Sequence, residues 1–250
     1  MTHQVPAERP RSGQACRADP EKVAAALRVA AGWGPYFVIE TGPGGRGTVL
    51  ASLYSATGAV DLTELVEHHA RRLGTAELRV AASLLFQGFA ARLWSPVLGC
   101  AAAGVVPDLD PDQLHWWRAS PLGLRIARAG GWQPPGRSDH TGLAVRAVVQ
   151  DNLYPFAQAL RRVVRIAEGL LWGAAASALV GAVQMLQGDE LSAARDLAAE
   201  VLEQPALRGT TILLDRDPLR VRRRSCCLYY RVPGGGLCGD CPLERVPRRA

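Results

Sequence analysis

Four of the six cysteines in this chain, Cys226, Cys227, Cys238 and Cys241, fall within sixteen consecutive residues in a C-C-x10-C-x2-C pattern. No hydrophobic pattern constrains the fold as tightly, because thiols gathered this closely point to a bridge, a metal or redox chemistry. The opening stretch from Thr2 to Glu21 is polar, carries prolines and lacks the apolar core of a secretory signal, so the expected location is cytoplasmic. Disulfides are disfavoured there, and clustered thiols are read as metal ligands or redox groups. Four thiolates suit either a [2Fe–2S] cluster or a tetrahedral zinc.

The C-x2-C half is a chelating loop that Gly239 lets turn tightly, and Pro233 to Gly236 supplies a reversal that can bring Cys226 and Cys227 back to meet it. Adjacent side chains in extended backbone point apart, so a vicinal pair converges on one small ion only with local kinking. A two-iron cluster offers more directions of approach. The chemistry therefore tilts toward iron–sulfur, with zinc open as the alternative. Cys16 stands alone in what reads as a disordered tail, and Cys100 in an apolar run where a buried thiol is expected.

At 250 residues, 48% apolar and 21% charged, the chain suits one large folded domain with a small appendage. Its 29 basic residues against 23 acidic give +6, and all but Lys22 are arginines. They mostly scatter without a binding motif, so no nucleic-acid partner is expected. Two groups flank the cysteines: Arg220, Arg222, Arg223 and Arg224 before them, and Arg245, Arg248 and Arg249 after them. The uncharged run Gly169 to Gly188 approaches a bilayer's span, but its Ala/Gly content, Gln184 and Gln187 favour a buried helix, and no stable membrane insertion is expected.

The periodicity predicts a helix over Glu21 to Ala31, then a hairpin of strands Tyr36 to Glu40 and Thr48 to Tyr54 around a glycine-rich turn. Asp61 and Glu64 resemble a capping box for a helix ending near Leu73, and a second helix runs toward Leu93, with a break or a new helical start near Trp94 to Pro96. Leu114 to Trp117 lies between turns, Gly123 to Ala127 reads as a strand, and Gly130 to Gly142 as a loop. Leu143 to Gln187 is mainly helical with an interruption near Tyr154 and Pro155, Glu190 to Gln204 is helical, and Thr211 to Leu214 is a short strand. The class is α+β, predominantly helical, with one small antiparallel sheet and a C-terminal cysteine-rich metal-binding segment. The expected division is a disordered tail (1–20), a mainly helical scaffold that binds the substrate (21–214), a [2Fe–2S]-binding segment (215–244) and a basic tail (245–250).

The stretch from Ser225 to Leu243 resembles the FhuF-type ferric-siderophore reductases, whose hallmark is this cysteine spacing, and similar patches occur at Arg92-Leu-Trp-Ser-Pro96 and Leu171-Trp-Gly173. The resemblance implies a [2Fe–2S] cluster ligated by Cys226, Cys227, Cys238 and Cys241, and one-electron reduction of siderophore-bound Fe³⁺ to release Fe²⁺. Ala174 stands where relatives are expected to carry Asn, which puts a polar role there in doubt. The chemistry is coherent, since oxygen donors hold hard Fe³⁺ far better than Fe²⁺ and no acid, base or nucleophile is needed. Accordingly His3, His68, His69, His115 and His140 lack ligand or triad spacing, and His68 and His69 read as solvated helix residues. Arg223, Arg224 and Arg231 would stabilise the reduced cluster and attract an anionic chelate or an acidic donor protein. Trp94, Trp172, Tyr229 and Tyr230 are candidates to line a siderophore site. Gly42 to Gly47 does not open a helix, so no dinucleotide site is expected and a separate electron donor is required. The rival readings are a structural zinc module on a binding protein and an iron–sulfur redox sensor.

Overall fold

The structure is a computed structural model that describes residues 16–247. The chain order is β1 (Cys16–Arg17), α1 (Pro20–Ala31), β2 (Glu40–Thr41), β3 (Thr48–Val49), α2 (Leu50–Tyr54), α3 (Ala59–Leu73) and α4 (Leu78–Gly99). Then come β4 (Val106–Pro107), β5 (Leu114–Trp117), β6 (Gly123–Ile126), β7 (Gly131–Gln133), α5 (Arg137–Val145), a π-helix (Arg146–Leu153), α6 (Tyr154–Val163), α7 (Glu168–Val183), α8 (Gly188–Leu202), β8 (Thr211–Arg216) and β9 (Leu219–Arg223). The predominantly helical α+β class holds, with three small sheets rather than one, and the middle sheet is mixed.

Helix α4 forms the centre and packs against α1, α3, α7 and α8. Its apolar residues run all round the cylinder, as burial on every side requires. Pro96 does not break it. The proline sits in the last turn, where the one backbone bond it forfeits, to the Arg92 carbonyl, costs little continuity. Helix α7 is the uncharged run, and it is buried over most of its length. Its small residues let other backbone approach closely: a Cβ on Gly173 would lie 2.2 Å from Ser225 Oγ. Ala174 is fully buried. No helix among the described residues is long and apolar enough to cross a membrane.

The expected hairpin is absent. Strand β2 pairs in parallel with β6 at one edge of the four-stranded sheet, and β3 pairs with β5 at the other, in the order β2-β6-β5-β3. Between them the glycine-rich loop wraps around Arg125, whose guanidinium donates to the Gly42 carbonyl (3.1 Å) and the Arg46 carbonyl (3.5 Å). Residues 50–54 are helical, not extended. The capping box does not form either, because α3 starts at Ala59 and Asp61 already lies in its first turn. The loop expected over 130–142 contains β7 and the start of α5, and Cys16–Arg17, expected in a disordered tail, pairs with Trp132 and Gln133 of β7. Tail residues before Cys16, His3 included, and Arg248 and Arg249 lie outside the described residues. The interruption near Tyr154 is a π-helical turn around buried Asn152, which donates to the Leu109 (2.8 Å) and Ala147 (2.7 Å) carbonyls.

Buried Arg92 ties α4 to the loop after α1, donating to the carbonyls of Pro35 (3.0 Å) and Val38 (2.6 Å), and to the chain just before β6 through the Leu122 carbonyl (2.6 Å). Burial pushes its pKa down to about 10, which leaves it charged at neutral pH. The loop it fixes becomes one wall of the cavity described below.

Candidate metal centre

Strand β9, unread in the sequence, delivers the cysteine segment. It alternates: Leu219, Val221 and Arg223 face inward, while Arg220 and Arg222 face solvent. Leu219 and Val221 pack toward α7. The same two-residue period carries Arg223 into the interior, where it is 1% exposed.

Beyond β9 the chain is anchored from both central helices. Ser83 of α4 donates to the Cys227 carbonyl at 2.8 Å, and Ser225 Oγ donates to the Gly169 carbonyl at the start of α7 at 3.0 Å. Leu228 adopts φ +67°, reversing the chain directly after the vicinal cysteines, and its amide donates to Cys226 Sγ at 3.3 Å. A single 3₁₀ turn (Tyr229–Arg231) follows. The return through Pro233–Gly236 is as tight as the sequence suggests, since a Cβ on Gly235 would lie 2.2 Å from the Tyr229 carbonyl oxygen. In the C-x2-C loop the Cys241 amide closes on the Cys238 carbonyl at 3.0 Å.

The four thiols are brought together as two pairs. Cys227 Sγ and Cys238 Sγ lie 3.5 Å apart, and Cys226 lies close enough to Cys241 for the two to interact electrostatically. Among the described residues no three His, Cys, Asp or Glu side chains close around one point tightly enough for a single ion. Two pairs of sulfurs suit two metal centres with two thiolates each, the arrangement of a [2Fe–2S] cluster.

Arg223 completes the site. Its Nη2 donates to Cys238 Sγ and is 3.0 Å from an Asp240 carboxylate oxygen, while its backbone amide donates to the Asp240 carbonyl at 2.8 Å. Nε and Nη1 are buried without a hydrogen-bond partner. Burial works against its charge, but Asp240, Cys227 and Cys238 outweigh it and raise its pKa. A buried cation with donors to spare beside four thiols fits an anionic sulfide-bearing cluster. The Cys238 hydrogen bond, with Arg223 and the Tyr229 amide behind it, pushes Cys227 down to about 5, while Cys238 is pushed up.

Residues 223–243 match the FhuF 2Fe-2S C-terminal domain. This segment is similar to an FhuF-type 2Fe–2S domain. No curated protein matches the chain. The match begins at Arg223, so the buried arginine lies inside the matched segment along with all four cysteines, and this cysteine cluster fits a [2Fe–2S] cofactor.

A cavity of about 830 Å³ reaches the cysteine segment from the helical scaffold. Its walls come from the loop held by Arg92 (Trp33, Tyr36, Phe37), from α4 (Gln87, Gly88), from α7 (Ser177, Gly181) and from the segment itself (Cys227, Tyr229, Cys238, Asp240). Cys227 is only 2% exposed, while Cys238 is partly exposed. Of the four aromatic candidates only Tyr229 lines it. Trp94 is fully buried in the core, Trp172 packs edge-on to Phe86, and the Arg231 guanidinium lies over the Tyr230 ring. Trp33, Tyr36 and Phe37 were hidden from sequence reasoning, because nothing local tells that they meet a segment some 200 residues away. Of the arginines expected to act on the cluster, only Arg223 touches sulfur. Arg224 is exposed, and Arg231 is paired with Glu77 at 2.8 Å.

Proposed function

We propose that this protein is a cytoplasmic ferric-siderophore reductase, an iron–sulfur oxidoreductase in which Cys226, Cys227, Cys238 and Cys241 ligate a [2Fe–2S] cluster and the cavity receives the ferric chelate. The observation that carries this reading is that two of the four cysteines stand in the wall of a cavity large enough for a small-molecule ligand.

When bound, the cluster supplies one electron, converting siderophore-bound Fe³⁺ to the weakly held Fe²⁺. The chain's own part is placement. Arg92 fixes the aromatic wall, Gly88 and Gly181 leave room between α4 and α7, and Tyr229 shares the lining with Cys227 and Cys238. Arg223 compensates the negative charge that reduction adds. A separate donor protein restores the electron, and the exposed Arg222 and Arg224, with Ile212 and Leu213 on the neighbouring strand, offer an acidic partner both charge and apolar contact.

The test is anaerobic titration of the dithionite-reduced protein with a panel of ferric siderophores, with Fe²⁺ captured by a ferrous-specific chelator. Stoichiometric reoxidation, one Fe²⁺ per cluster, is expected for at least one chelate. A red-brown protein that no ferric siderophore reoxidises would overturn the reductase reading, and a colourless zinc protein would overturn the cofactor as well.

A further inference from the structure

Resting on the cluster proposed above, the geometry points to a crossed ligation: Cys227 and Cys238 share one iron, Cys226 and Cys241 share the other, and the Cys227–Cys238 iron becomes ferrous on reduction. Neither sequence-adjacent cysteines nor the two of the C-x2-C loop then hold a common iron.

The backbone separates each neighbouring pair. Cys227 is turned inward and its carbonyl is held by Ser83, while the reversal at Leu228 directs an amide to the sulfur of Cys226. The two adjacent residues thus sit in different backbone environments, with only Cys227 in contact with Cys238. The C-x2-C turn, closed by the Cys241 amide on the Cys238 carbonyl, brings Cys238 to Cys227 at 3.5 Å, which leaves Cys241 with Cys226 for the second iron.

The two sides are electrostatically unequal. Arg223, nearly inaccessible to solvent, donates to Cys238 and keeps two nitrogen positions unpartnered, whereas Cys226 receives a neutral amide from Leu228. A buried positive charge acts strongly at short range, so the added electron is held where the guanidinium is. That side also faces the cavity, which Cys227 and Cys238 line and to which Cys226 and Cys241 do not contribute. The electrons balance: one from the donor protein reduces the Cys227–Cys238 iron from Fe³⁺ to Fe²⁺ while the other iron stays Fe³⁺, and the same electron then passes to the Fe³⁺ of the chelate. No bond to the siderophore is required.

Paramagnetic NMR of the reduced holoprotein tests the pairing, because cysteine β-methylene resonances on the ferrous and ferric sites of a coupled pair shift differently with temperature. With the four cysteines assigned through Overhauser contacts, Cys227 to Ser83 and Cys238 to the Arg223 side chain, we expect Cys227 and Cys238 to behave as the ferrous set. Cys226 and Cys241 should behave as the ferric set, and Arg223→Gln should move the ferrous set most. Grouping of Cys226 with Cys227, or of Cys226 with Cys238, overturns the pairing; the expected pairs with reversed behaviour overturn the assignment of the reducible iron. Iron and sulfide content and chelate reduction are read separately, so a competent reductase with another pairing differs from a correctly paired cluster that reduces no siderophore.

Discussion

The Arg223 guanidinium donates to Cys238 Sγ from a position closed to solvent, with Asp240 as its counter-charge. Buried charge is costly, and a cation kept beside thiolates acts on whatever negative charge accumulates there. Arg223→Gln should therefore lower the cluster potential, on the order of tens of millivolts, while the cluster still assembles. Arg224→Gln should leave it unchanged, because Arg224 is exposed and solvent and salt screen it. Redox titration of both variants beside wild type checks this, and equal shifts in the two would remove Arg223 from its tuning role.

Cys238→Ser and Cys241→Ser should each lose most of the iron and all chelate reduction, since serine oxygen is a harder and poorer ligand for this centre. The helical core around α4 should persist, because its buried residues lie upstream of the cysteine segment. Iron content, reductase rate and far-ultraviolet circular dichroism together report the outcome. Wild-type iron and rate in both variants would defeat the ligand assignment.

Gly181 lines the cavity, and a Cβ there meets nothing within 4 Å. Gly181→Leu should therefore fold, helped by roughly 1 kcal/mol of helix propensity, while filling space a chelate needs. The expected loss of siderophore reduction is about tenfold or more, with the visible spectrum unaltered and oxidation by a small inorganic oxidant unimpaired. Siderophore reduction at the wild-type rate would show that the cavity is not the route to the cluster.

His69 is set apart from the solvated helix residue its sequence suggests: its Nε2 is buried without a hydrogen-bond partner, and burial, then Arg72 and His68, push its pKa down to about 4. The unfolded chain binds this proton near pH 6.5, so between 6.5 and 4 the unfolded state holds more protons and stability falls as pH falls. The full effect at pH 5 is about 2 kcal/mol. Denaturant unfolding of the holoprotein at pH 8 and pH 5 should show this loss, and His69→Gln should reduce it. A slope the substitution leaves untouched would place the titrating group elsewhere.

The cysteine set was legible in the sequence because chelation demands particular residue types at short spacing, and α1, α4 and α7 were legible because burial leaves a periodic or wholly apolar trace. The hairpin was misread because strands close in sequence usually pair, whereas here Arg125 fills the loop and the two strands occupy opposite sheet edges. Strand β9 went unseen because Leu-Arg-Val-Arg-Arg reads as a charge cluster, and arginine is so seldom buried that nothing local marks Arg223 as the one facing inward. Ser83 and the cavity wall at Trp33–Phe37 depend on contacts between distant segments.

Strand β9 also couples a geometric quantity to an electrical one. Because side chains alternate across the hairpin, a slip of one residue against β8 would turn Arg223 to solvent and carry a neighbouring arginine inward, away from Asp240's reach. An insertion or deletion between Leu219 and Arg223 would then retune the driving force for electron transfer while every thiolate stayed in place, making strand registry a setting of the redox centre.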